Sequence, residues 1–315
     1  MRKAFKFPGF DPKRLFKAED SRFILSVGLK VSGISFVISL FIYYLLYLFM
    51  RLNYAFFKAN GFPELEGGNP FYSYVIGEAM ETLPALFAFH VCLFFIGTYI
   101  GWLILRPFRS IGEYSEKVLD NLNTVYKVED FSTYKLLTRF SEFFFEYLRE
   151  SRKKGEIISN SIPPQFSRIH RPVQDKVFLL HFGLLLVIIS ISSAYFIIEM
   201  SSAIYYSMVD LATKTLANQI IASKFFSTQM FVLDELVYLT IFFVVVFYTL
   251  LGFHLYSKVS GAAFGIFSTM RSFMKGDYGS RVHLVGYAYL REHTRKLNKY
   301  LDYVEKNFGR DRKKD

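Results

Sequence analysis

Apolar residues fall into two regimes along this chain. Four stretches are almost continuously apolar, at Val31–Met50, Pro84–Leu105, Val177–Ile198 and Leu236–Leu255. A helix needs about 20 such residues to cross the hydrocarbon core of a bilayer, so each stretch reads as a transmembrane helix. Elsewhere apolar positions recur at alternating steps of four and three. Ile111, Ser115, Val118 and Leu122 form one such set, and Leu137, Ser141, Phe144 and Leu148 a second. Ala263, Phe267, Met270 and Met274 form a third, and Leu290, Thr294, Leu297, Leu301, Val304 and Phe308 a fourth. This seven-residue period predicts helices with a narrow apolar seam. Such a seam demands partner helices, because each row of knobs needs facing holes.

The sets repeat. A shift of 152 residues carries the first onto the third, and a shift of 153 carries the second onto the fourth. The chain therefore reads as two copies of one module: span, short outer loop, span, paired helices. The expected division is a basic segment 1–22, two spans in 23–105, a helix pair in 106–150 and a linker in 151–176. Two further spans follow in 177–255, then a second helix pair in 256–308 and a charged tail in 309–315. Pro107 is placed at the start of the first paired helix, where its missing N–H does least harm. Pro163-Pro164 blocks continuation of the helix before it. The expected fold class is an all-α integral membrane protein, internally duplicated.

Composition agrees, with 52% hydrophobic and 19% aromatic residues among 315. A net charge of +11 would point to nucleic acid in a soluble protein, but its distribution points elsewhere. Lys and Arg number seven in residues 1–22, thirteen in 106–176 and thirteen in 256–315. Residues 51–83 and 199–235 hold two each, beside four acids each. That alternation follows the positive-inside rule and puts both termini and the central segment in the cytoplasm. The surplus is expected to hold those segments against anionic membrane lipid, and nucleic acid is not an expected partner. Residues 1–22 interleave basic residues with Phe5, Phe7, Phe10 and Phe16, as membrane-surface segments do. They contain no apolar core of a signal peptide, so no cleavage is expected. The outer segments, at about thirty residues each, are too short for a dedicated sensor domain.

The tail carries a more specific pattern. Gly276-Asp277, Arg281-Val282, Leu290 and Leu297-Asn298 stand at the spacing found in HAMP linkers, the parallel four-helix relays of bacterial membrane receptors, and residues 256–308 resemble that family. Residues 106–150 resemble it more weakly, because their connector lacks glycine. Tyr287, Ala288 and Tyr289 stand where the family usually has acidic residues. The resemblance implies two cytoplasmic parallel helix pairs in a protein of the bacterial inner membrane. It also implies signalling by a small rotation or shift of helices. The bundle and relay positions expected are Pro107, Ile111, Val118, Leu122, Leu137, Phe144, Met270, Met274, Leu290, Leu297 and Leu301, with Gly276 and Val282 setting the connector. No kinase, cyclase or methyl-accepting segment follows Phe308 in this sequence. The expectation is therefore a non-catalytic relay or modulator acting on a cytoplasmic signalling partner. It would be assembled as a single-chain pseudo-dimer or as a homodimer.

Candidate chemistry adds little. His90, His181 and His254 fall within or beside the spans, yet no HxxxH pair or carboxylate partner accompanies them, so no haem or metal site is expected. The single Cys92 can neither staple the fold nor build a Cys-rich site. There is no phosphate-binding glycine loop, nucleophile elbow or pair of carboxylates on one helix face. No catalytic residue and no cofactor is assigned. Two other functions compete with the relay: a small transporter or ligand carrier with a cavity between the duplicated halves, and a membrane scaffold.

Overall fold

The structure, a computed structural model, describes residues 18–59, 70–126, 135–157, 162–169, 176–215 and 219–309. The basic-aromatic segment 1–17, the glycine- and proline-containing turn of the first outer loop and most of the first connector lie outside the described residues. Everything described is helix or connection, with no strand. The helices are α1 (Glu19–Ala59), α2 (Pro70–Asp120), α3 (Lys135–Lys154), α4 (Pro164–Ser167), α5 (Lys176–Thr215), α6 (Gln219–Met274) and α7 (Arg291–Phe308). A short 3₁₀ turn, Ala288–Leu290, leads into α7.

Four of these, α1, α2, α5 and α6, are long and apolar enough to cross a membrane. At 51 residues for α2 and about 1.5 Å per residue, such a helix is more than twice as long as a hydrocarbon core is thick. The apolar stretches are thus the middles of longer helices. Pro107 marks no helix start, since α2 runs through it to Asp120. A proline inside a helix removes one hydrogen bond at a cost of about 3 kcal/mol. Burial of Ile104, Leu105, Phe108 and Ile111 around it outweighs that local signal.

The chain divides into two compact units, one made of residues 28–97 and 184–252, the other of residues up to 27, 98–183 and 253 onward. In the first, four antiparallel helix segments surround a common core. Ser32 Oγ donates to the His90 carbonyl at 2.9 Å and Tyr43 meets Thr82 at 2.7 Å, so α1 and α2 run in opposite directions. Tyr248 donates to the Val31 carbonyl at 2.9 Å, and Gln229 Nε2 donates to Asn53 Oδ1 at 2.6 Å, which opposes α6 to α1. Phe89 stacks on Phe196 at 4.2 Å and Ser207 bonds Glu78 at 3.2 Å, which opposes α5 to α2. Several buried polar side chains find partners inside this unit. His90 is one of them, its Nδ1 lying 2.7 Å from the Leu86 carbonyl.

Candidate functional site

The second unit gathers the heptad positions. The heptads fall on residues 98–120 of α2, all of α3, residues 253–274 of α6, and α7 with the turn before it. The seam of α7 comes first. Leu290, Leu297, Leu301 and Val304 have no exposed surface, because their four-three spacing keeps them on one face while Lys and Arg fill the others. Ile111, Val118, Leu137, Phe144, Met270, Met274 and Val282 are buried too, none above the 6% exposure of Met274.

Ring contacts and side-chain pairs give the directions. Gly112 lies against His293, where a methyl group on residue 112 would stand 2.9 Å from the His293 Cα. One turn on, Lys296 pairs with Glu116 at 2.8 Å, so α2 and α7 advance together. Phe140 meets Phe267 at 4.5 Å and Phe144 meets Phe273 at 6.2 Å, so α3 and α6 advance together as well. Phe145 touches both Tyr114 and Tyr300, at 4.5 and 6.2 Å. The four segments share one aromatic core.

The connection from α6 to α7 explains how consecutive helices come to be parallel. It turns at Gly276, whose φ of 98° suits a residue without Cβ. It then runs back along α6. Tyr278 packs on Phe273 at 5.4 Å, and the Leu284 and Tyr287 side chains occupy the space left by Gly265 and Gly261. The Tyr289 hydroxyl donates to the Lys258 carbonyl at 3.4 Å. α7 holds the same strap from its other side. Asn298 accepts from the Val282 N–H at 2.8 Å and donates to the Val282 carbonyl at 3.1 Å. Arg281 bonds Asp302 at 2.6 Å and also reaches Glu305.

Charge concentrates where α1 begins. Asp20 pairs with Arg109 at 2.9 Å and lies 3.9 Å from His293 Nε2. Glu19 pairs with Arg291 at 3.1 Å, and Phe23 stacks on Tyr289 at 4.1 Å. Neither ring nitrogen of the buried His293 has a hydrogen-bond partner. Burial pushes its imidazole below the ordinary 6.5; the Asp20 carboxylate opposes that shift and the Arg109 guanidinium adds to it. The half-buried Arg152 places its guanidinium 5.9 Å from the Tyr300 ring, with Tyr114 beside it. Among the described residues no group of three or more His, Cys, Asp or Glu side chains is placed to hold a metal.

Leu122 is the exception among the expected packing residues. α2 ends at Asp120 and the chain turns there, which leaves Leu122 48% exposed. Asn121 draws the turn: its side chain accepts from the Asn123 N–H at 3.0 Å, the local competition that ends helices. Pro107 is buried inside α2, and Gly276 supplies the turn out of α6. Periodicity missed Phe140, Phe145, Phe273 and Tyr300, which flank the seam and are buried. The run Phe143-Phe144-Phe145 was their signal. No family model matches the chain, and no curated protein or solved structure matches it either.

Proposed function

We propose that this protein is a non-catalytic membrane relay in which one chain supplies all four helices of a HAMP-like bundle. The observation that carries the reading is the pairing across the two heptad stretches: α2 with α7 and α3 with α6, each pair advancing in one direction. In a HAMP dimer the equivalent contacts join two chains. Here residues 106–150 stand in for the second chain, as a duplicated copy of residues 256–308. The spans lie in a bacterial inner membrane, with both termini and both helix pairs in the cytoplasm. α2 and α6 pass without a break from apolar span to bundle, so a shift of either span moves a bundle helix directly.

Two packings are favoured by Arg152. Its half-buried head group lies against the Tyr300 ring and beside Tyr114, so an alternative packing that hydrates it is within reach. The partner is a cytoplasmic signalling protein that distinguishes the two packings.

Two measurements test this. Cys92 is replaced by Ala, and Glu116→Cys is combined with Lys296→Cys. Oxidation in membranes should give an intramolecular disulfide and a monomer of altered mobility. Efficient dimer formation with no intramolecular product would assign the bundle to two chains. Spin labels at Lys154 and Lys306 in nanodiscs should then report two distance populations, and Arg152→Met should collapse them to one. A single distance in both proteins would make the module a static scaffold.

A further inference from the structure

We infer that the unit of residues 28–97 and 184–252 contains a binding site for a cationic, single-chain amphiphile. α1, α5 and α6 line an open cavity of about 80 Å³. Its wall changes character along its length. One end is closed by Ile42, Ile197 and Thr240, and the Thr240 hydroxyl is turned away onto the Leu236 carbonyl at 2.7 Å. That end offers a ligand only hydrocarbon. Toward the other end stand Ser202, Tyr206 and Asp234. From Ile42 to Phe49 the lining advances seven residues along α1, about 10 Å at 1.5 Å each. A site of that length and small volume takes part of one hydrocarbon chain and excludes fused rings.

Asp234 selects the head group. It is the only charged side chain among the lining residues, and it makes no ion pair among the described residues. A carboxylate at the rim of an apolar cavity attracts an ammonium group more strongly than it would in open water, because the local dielectric is lower. The same carboxylate repels a fatty-acid head. Deep hydrocarbon and an acidic rim together fit an alkylammonium, with its tail toward Ile42 and its nitrogen beside Asp234. The inference does not rest on the relay reading: the site lies wholly within this unit, and its loss would leave the 116–296 cross-link unchanged.

The test is photolabelling of the full chain in phosphatidylcholine nanodiscs with a diazirine derivative of dodecylamine, mapped by mass spectrometry. Labels should concentrate on residues 42–49, 197–206 and 230–240. Unmodified dodecylamine should compete and dodecanoate should not. Asp234→Asn should weaken labelling about tenfold and Asp234→Glu should restore it. Val237→Phe, which fills the cavity, should abolish it, while Asp210→Asn, outside the cavity, should leave it unchanged. Equal competition by dodecanoate, or full labelling of Asp234→Asn, would reduce the result to partition into the bilayer and overturn the inference.

Discussion

Gly112 and His293 meet where α2 packs on α7, and the two residues make separable predictions. Gly112→Ala places a methyl 2.9 Å from backbone, so the helices must part. Overpacking of this kind costs about 1–3 kcal/mol, measurable as a fall in unfolding midpoint in detergent. Gly183→Ala is the control: its Cβ meets nothing within 4 Å, and in a helix interior it should gain about 0.5–1 kcal/mol. His293 predicts a pH dependence. Its imidazole is held below 6.5 by burial in the fold, so the unfolded chain binds the proton first as pH falls. The stability of the neutral, buried form is complete above 6.5. It declines as pH drops through the lower, folded value. Asp20, Arg109, Glu292 and Lys296 act on the ring, and desolvation outweighs their balance. Thermal unfolding of His293→Gln between pH 7.5 and 5 should show a smaller loss than the parent chain. An equal loss in both proteins would assign the dependence to other groups. Neither residue was legible as a contact in the sequence. A heptad marks Leu297 and Leu301, whose burial follows from spacing alone, but a glycine on the flank of the seam has no period to betray it.

At the scale of elements, continuous apolar runs located the long helices and four-three spacing located α7, because the period of an apolar face survives any tertiary context that keeps the helix. Local punctuation was less reliable. Pro107 read as a start and lies inside α2, since packing of Phe108 and Ile111 outweighs one lost hydrogen bond. Asn121 carried no weight beside the apolar spacing, yet it ends α2 before Leu122. The strap from Gly276 to Tyr287 was legible as a connector but not in its course. That course depends on Gly261 and Gly265 opposite it, which sit nineteen residues or more upstream of Leu284. Asn298 is the fastening. Removing its side chain leaves the Val282 N–H and carbonyl without their partner, and each unsatisfied group costs about 1–3 kcal/mol when buried. Asn298→Ala should therefore expose the Val282 amide to hydrogen exchange while amides in the middle of α7 stay protected. Loss of protection throughout α7 would mean that the strap and the helix fold as one unit.

For the whole molecule, the number of passes decides which parts face which compartment. Four antiparallel segments in the unit of residues 28–97 and 184–252 bring the C-terminal parts of α1 and α5 beside the N-terminal parts of α2 and α6. Asn53 meets Gln229 there, and Ser207 meets Glu78. The same parity returns the chain after α2 and α6 to the side on which α1 begins. The segments 51–83 and 199–235 are acid-bearing and poor in Lys and Arg, and the segments 106–176 and 256–315 carry thirteen cations each. The positive-inside rule would put the first set outside and the second inside. That expectation predicts a labelling pattern. In a chain carrying Cys92→Ala, a cysteine at the exposed Thr213 should react with an impermeant maleimide from outside right-side-out vesicles. A cysteine at Lys154 or Lys306 should react only after the vesicles are opened. Inverted vesicles should reverse the result, which separates true sidedness from a buried thiol. If Lys154 reacts from outside while Lys306 does not, one of the four helices fails to cross. The pairing of α3 with α6 could not then form in the cytoplasm, and the four-pass arrangement would fall together with the bundle it is proposed to drive.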